Sequence, residues 1–188
     1  MDSGTLKIVC YTGGTCGDLI SVLIDPADSE LSRMRMGKVI HTLYRERLKK
    51  PHTFATDEEK DQYINEMAEQ YSSIPSHDLD YHILRAHRFI SITVQDFEIA
   101  MWAAHRFRAL HRPHVWQEMQ TACGANNIED YAQMLIDYSN MVVNHTTDIV
   151  KLEDIRNGRA IQALNKLGIN SQHKNLYQIW LDLQDITA

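Results

Sequence analysis

The residues with the clearest chemical potential lie near the amino terminus, in the run Tyr11-Thr12-Gly13-Gly14-Thr15-Cys16-Gly17-Asp18. Its glycines permit backbone dihedrals that turn successive N–H groups to one side. Such amides, at the positive end of a following helix, suit a phosphate or sulfate. Thr12 and Thr15 add hydroxyl donors. The run departs from GxxxxGK[ST], because Thr12 stands where the first glycine belongs and Asp18 where the lysine belongs. A Gly-rich turn with no ligand is the plain alternative. Asp18 has two readings: a carboxylate that orders a metal-bound water or accepts a proton from an attacking hydroxyl, and a first-turn helix acid. Cys16, at a helix amino terminus, is expected to be a more acidic thiol and a candidate nucleophile, or a small residue fitted to the turn.

Amides alone cannot offset several phosphate charges, so a phosphate site here needs a cation from elsewhere. On the helix expected after Asp96, His105, Arg108 and Arg112 recur at i, i+3 and i+7 and share one face. Arg33, Arg35 and Lys38 are the other source. The run Ser76-His77-Asp78-Leu79-Asp80-Tyr81-His82 follows a short extended piece, where a sheet delivers catalytic groups to its carboxyl edge. His77 or Asp78 there has the chemistry to take an acceptor's proton, and a polar loop with capping acids is the competing reading. His105, His111 and His114 make a poor zinc motif: HxxH lacks the glutamate of HExxH, and Pro113 interrupts the helix.

These groups need elements to position them. Leu6–Tyr11 reads as a buried parallel strand, followed by a short helix from Asp18 to Asp25 that Pro26 stops. Helices are expected over Met34–Lys50 and, from a capping box at Thr56, to about Tyr71. Arg88–Val94 is a second buried strand, and Asp96 caps a helix over Phe97–Arg112. Further helices are expected near Val115–Cys123 and Ile128–His145, a late strand at Thr147–Leu152, and helices near Arg159–Leu167 and Asn175–Gln184. Strands separated by helices of crossover length imply an α/β fold, a short mostly parallel sheet with helices on both faces. One domain spanning residues 1–188 accounts for the length, with 31–72 as a possible helical insertion or lid.

The 44% hydrophobic and 23% charged fractions are those of an ordinary globular chain, and no apolar run is long enough to span a bilayer. With no basic segment leading into an apolar stretch at Met1–Lys7, the expected place is the cytoplasm. Three cysteines without CxxC spacing argue against a disulfide framework. The net charge of -6 does not suggest general adhesion to nucleic acid, yet Arg33–Lys50 holds Arg33, Arg35, Lys38, Arg45, Arg47, Lys49 and Lys50 against Glu46 alone. That stretch is either a solvated helix face or a track for a polyanion.

The strand, the Gly13-Gly14-Thr15-Cys16 turn and the helix after it resemble the sulfuryl-donor loop of P-loop sulfotransferases. Val150-Lys151-Leu152-Glu153-Asp154 with Leu167-Gly168-Ile169 resembles their last strand and helix. That family's Arg-Asp-Pro and later serine are replaced here by Gln95, Asp96, Phe97 and Ala103, and Thr12 stands in place of its loop lysine. In length and in its degenerate loop the chain also resembles the small phage P-loop kinases that phosphorylate 5-hydroxymethyluracil in DNA during base hypermodification. This second resemblance implies a P-loop-type three-layer fold, ATP as donor with Mg2+, and a hydroxymethyl group on a DNA base as acceptor. The phosphotransferase reading of the residues puts Thr12, Gly13, Gly14, Thr15, Cys16 and Gly17 on the donor phosphates, with Asp18 at the metal. His77, Asp78, Arg108 and Arg112 join Asp18 in catalysis, and Arg33, Arg35, Lys38 and Arg45 lie on the DNA backbone. The kinase resemblance implies the host cytoplasm as location, and a homodimer is compatible with it.

Overall fold

The computed structural model describes residues 7–24, 58, 62, 73–76, 88–110, 113–144 and 146–186. Within them lie four strands, β1 (Lys7–Cys10), β2 (Ser73–Ser76), β3 (Arg88–Thr93) and β4 (Asp148–Lys151). The helices are α1 (Gly17–Ile24), α2 (Phe97–Leu110), α3 (Pro113–Cys123), α4 (Ile128–Val142), α5 (Leu152–Arg156), α6 (Ala160–Lys166) and α7 (Lys174–Ile186). The helix expected over Met34–Lys50 and the 31–72 insertion lie outside the described residues, apart from Glu58 and Gln62.

The strands form one sheet in the order β2-β1-β3-β4, and every pairing is parallel. The α/β expectation therefore holds: a short parallel sheet flanked by helices. Ser73–Ser76, whose sequence is ambiguous between strand and loop, pairs with β1 in register from Lys7↔Ser73 to Cys10↔Ser76. The chain leaves β1 toward β2 and leaves β3 toward β4, in opposite directions across the sheet. Right-handed crossovers then put the intervening helices on opposite faces. Thus α1 packs on β1 and β2 and meets α6, while α4 packs on β3 and against α2.

The elements form where the apolar pattern demands. In β1 and β3, Val9, Ile90 and Ile92 are buried with α1's Leu19, Ile20, Val22 and Leu23, each worth about 1.5–3 kcal/mol of burial. On the other face Cys10 Sγ lies 3.2 Å from the Tyr138 hydroxyl of α4. Asp96 caps α2 as expected, its Oδ1 accepting the Ile99 N–H at 3.0 Å. Asn127 caps α4 in the same manner, accepting the Asp130 N–H at 2.7 Å. At the amino-terminal edge of the sheet, Arg88 Nε donates to Asp148 Oδ2 at 2.5 Å, tying the start of β3 to the start of β4. The same guanidinium donates through Nη2 to the Leu167 carbonyl.

Candidate functional site

The turn singled out in the sequence lies beyond the carboxyl end of β1. In a sheet of order β2-β1-β3-β4 the connections diverge between β1 and β3, and ligands of open α/β sheets bind in the crevice outside those strand ends. Thr12–Cys16 borders that place on the β1 side and Val94–Asp96 on the β3 side.

The turn is tightly built. Thr15 donates both its N–H (3.1 Å) and its hydroxyl (2.8 Å) to the Thr12 carbonyl. Gly14 has φ +93, which a side chain would strain, and a Cβ there would sit 2.4 Å from the Ala103 carbonyl of α2. A Cβ at Gly13 would meet Phe107 at 2.6 Å and the Tyr131 hydroxyl at 2.8 Å. That hydroxyl donates to the Gly13 carbonyl at 3.1 Å, and the Tyr131 ring stacks on Phe107 with centroids 5.7 Å apart. At Gly17 a Cβ would fall 2.0 Å from the Tyr11 ring. All three glycines are thus required by close neighbours. The Thr15 hydroxyl, expected to face a ligand, braces the turn instead, because Thr15 is buried and its own turn carbonyl is the nearest acceptor.

Cys16 is in the left-handed region at φ 66, an unusual conformation for a residue with a side chain. Immediately after it α1 begins, with the Ile20 N–H bonded to the Cys16 carbonyl, so the amides of Gly17, Asp18 and Leu19 belong to the helix's opening turn. The expectation of an acidic Cys16 thiol is corrected. Burial pushes it up, Arg106 pulls it down by less, and Asp18 adds to the rise, so the thiol stays protonated. Asp18 is only partly covered, and its Oδ1 accepts the Tyr11 hydroxyl at 3.1 Å. Burial, with the Asp18 charge and hydrogen bond adding to it, holds Tyr11 well above the ordinary phenol range, a neutral donor to that carboxylate.

Among the described residues the cation that reaches the turn is Arg106, whose Nη1 donates to Cys16 Sγ at 3.2 Å. Arg108 and His105 are exposed on α2, which turns them away from the buried positions Ala100, Ala103, Ala104 and Phe107. Arg106 lies at the edge of that buried face, its guanidinium 5.8 Å from the Trp102 ring and 5.5 Å from the Trp180 ring. Arg156 of α5 lies 5.4 Å from the same Trp102 ring. Glu153, also on α5, accepts the Gln95 and Asp96 amides through Oε1 at 2.7 and 2.9 Å, closing the β3 side of the crevice.

His77, Asp78 and Arg112, and with them Arg33, Arg35, Lys38 and Arg45, lie outside the described residues. The structure therefore brings together Thr12–Asp18 with Arg106, and it does not bring Arg108 to them. Among the described residues no group of three or more His, Cys, Asp or Glu gathers to hold a metal, and no helix is long and apolar enough to cross a membrane. Compared with protein-family models, curated proteins and solved structures, the chain matches none.

Proposed function

We propose that the chain is a phosphotransferase that holds the phosphates of ATP at the Thr12–Asp18 turn and moves the γ-phosphate to a hydroxyl. The acceptor implied by the kinase resemblance is the hydroxymethyl group of 5-hydroxymethyluracil in DNA. One observation carries the reading: the turn stands at the point where the chain's path across a parallel sheet reverses, on the opening turn of α1. The strand order and parallel pairing are compatible with a P-loop-type three-layer fold.

In this reading the amides at the start of α1 face the donor phosphates, and the Asp18 carboxylate stands in that same first turn. Mg2+ takes one or two carboxylates with substrate phosphates and keeps several waters, so Asp18 with the donor suits it without a protein cage. When bound it would neutralise charge on the phosphate oxygens. Tyr11 holds Asp18 in place through its hydroxyl. The bond from the γ-phosphorus to its bridging oxygen breaks, and the bond to the acceptor oxygen forms. The acceptor's proton passes to Asp18, or to His77 or Asp78, which follow β2 in the sequence. The Arg33–Lys50 stretch tracks DNA phosphates, which makes DNA affinity fall steeply as salt rises.

A second reading has its own support: Gly13, Gly14 and Gly17 are all explained by Phe107, Ala103 and Tyr11, so the turn serves packing alone in a non-enzymatic protein. Incubation with γ-labelled ATP, Mg2+ and DNA containing 5-hydroxymethyluracil separates the two. Label on the DNA, absent with unmodified DNA, is the expected result. No transfer across a range of metal and salt, with no heat on titrating ATP, would favour the packing reading.

A further inference from the structure

Arg106 acts on the same Cys16 thiol as the Asp18 carboxylate, but no ion pair among the described residues uses its charge. Its hydrogen bond goes to Cys16 Sγ. A guanidinium presents five N–H donors in a rigid fork that matches paired oxygens, whereas thiol sulfur is a weak acceptor. Because burial keeps that thiol protonated, Cys16 does not supply the missing negative charge. The Trp102 and Trp180 faces hold the cation at 5.8 and 5.5 Å without satisfying its fork.

A second cation approaches the same ring. Arg156 lies 5.4 Å from the Trp102 ring, and it too forms no ion pair among the described residues. Arg156 is exposed, so solvent screens part of their mutual repulsion, and an anion bound at this ring would be attracted by both charges. They arrive from the helices that follow β3 and β4, while the turn arrives from β1. All three border the carboxyl edge of the sheet.

We propose that Arg106, assisted by Arg156, is the cationic grip on a polyphosphate at this edge, taking the place of the lysine that the turn lacks, with Cys16 as the resting partner that a phosphate oxygen displaces. This rests on the phosphate-binding reading of Thr12–Asp18. It assigns the charge to residues outside the turn and makes the ligand's charged end, not its base, the group recognised here.

Inorganic pyrophosphate, which has two phosphates and no base, is the probe. It is titrated calorimetrically into the full chain and into Arg106→Met, Arg106→Lys, Arg156→Met and Arg108→Met, with tryptophan emission recorded alongside. Arg106→Met is expected to weaken binding by about 30-fold or more, and Arg106→Lys by about tenfold, because lysine keeps the charge and loses the fork. Arg156→Met is expected to lose about three- to tenfold, and exposed Arg108→Met less than about twofold. Saturation should change the emission of the unmodified chain, as the guanidinium leaves Trp102 and Trp180, and should leave that of Arg106→Met flat. Should Arg106→Met fail to fold, Arg106→Lys carries the test through its long stem over the same rings. Binding unchanged in Arg106→Lys, or an equal loss in Arg108→Met, overturns the inference while leaving the turn a phosphate site. No pyrophosphate binding by the unmodified chain overturns both.

Discussion

The two ends of the sheet are built on different terms. At the amino-terminal edge Arg88 is paired with Asp148 and also donates to the Leu167 carbonyl, so its charge and its fork are both used. At the carboxyl edge Arg106 donates to a thiol, and Cys16 holds a left-handed conformation. Glu153 there uses one oxygen on two amides while its buried Oε2 has no partner among the described residues. Satisfied groups hold a fold together. Strain and unmatched charge persist only where the surrounding packing enforces them, and they gather here at the edge where parallel sheets bind ligands.

The contrast can be broken by mutation. Gly14→Ala should be the most damaging single change, because φ +93 and a Cβ 2.4 Å from the Ala103 carbonyl both oppose it. A loss of about 3 kcal/mol is expected in urea unfolding. Asp18→Asn should lower phosphoryl transfer by about 100-fold or more, with a melting curve nearly unchanged, since asparagine can still accept the Tyr11 hydroxyl. Retained activity would reduce Asp18 to a helix-end acid. Tyr131→Phe keeps the stack on Phe107 and strands the Gly13 carbonyl, at a cost of about 1–2 kcal/mol by thermal unfolding. At the other edge Asp148→Asn should cost about 1 kcal/mol and leave ligand binding untouched.

The smallest effect is alkaline. Burial pushes the Tyr177 phenol up to about 12, against an ordinary value of about 10. The unfolded chain therefore loses this proton first. The contribution is whole below pH ~10 and is lost as pH rises toward ~12. Tyr177→Phe should flatten that part of a stability–pH curve, and it should also lose the hydroxyl's bonds to the Ile155 carbonyl and the Ala160 amide, 2.5 and 3.1 Å away.

Much of the fold can be read from the residues. LKIVCY and RFISITV are β-branched apolar runs that only a strand buried on both faces accommodates, and Asp96 and Asn127 announce their helices by side-chain chemistry. The short β2 is harder to read, because SIPS has no pattern of its own and its pairing with β1 is a long-range property. In the site, the turn's position was legible and the reason for its glycines was not, since Phe107, Ala103 and Tyr131 lie far along the chain. Counting cations along α2 points to Arg108. The phase of Ala100, Ala103, Ala104 and Phe107 does not separate the two, because Arg106 and Arg108 flank that buried stripe on opposite sides; the Trp102 and Trp180 rings and Cys16 mark the flank of Arg106.

The central claim is that Thr12–Asp18 binds the phosphates of a nucleotide. Calorimetric titration of the full chain with ATP and Mg2+, at low and at moderate salt, tests it most directly. Saturable binding at one site per chain, weakening as salt rises and competed by pyrophosphate, is the predicted result. No saturable heat at millimolar ATP, at either salt concentration, would contradict it.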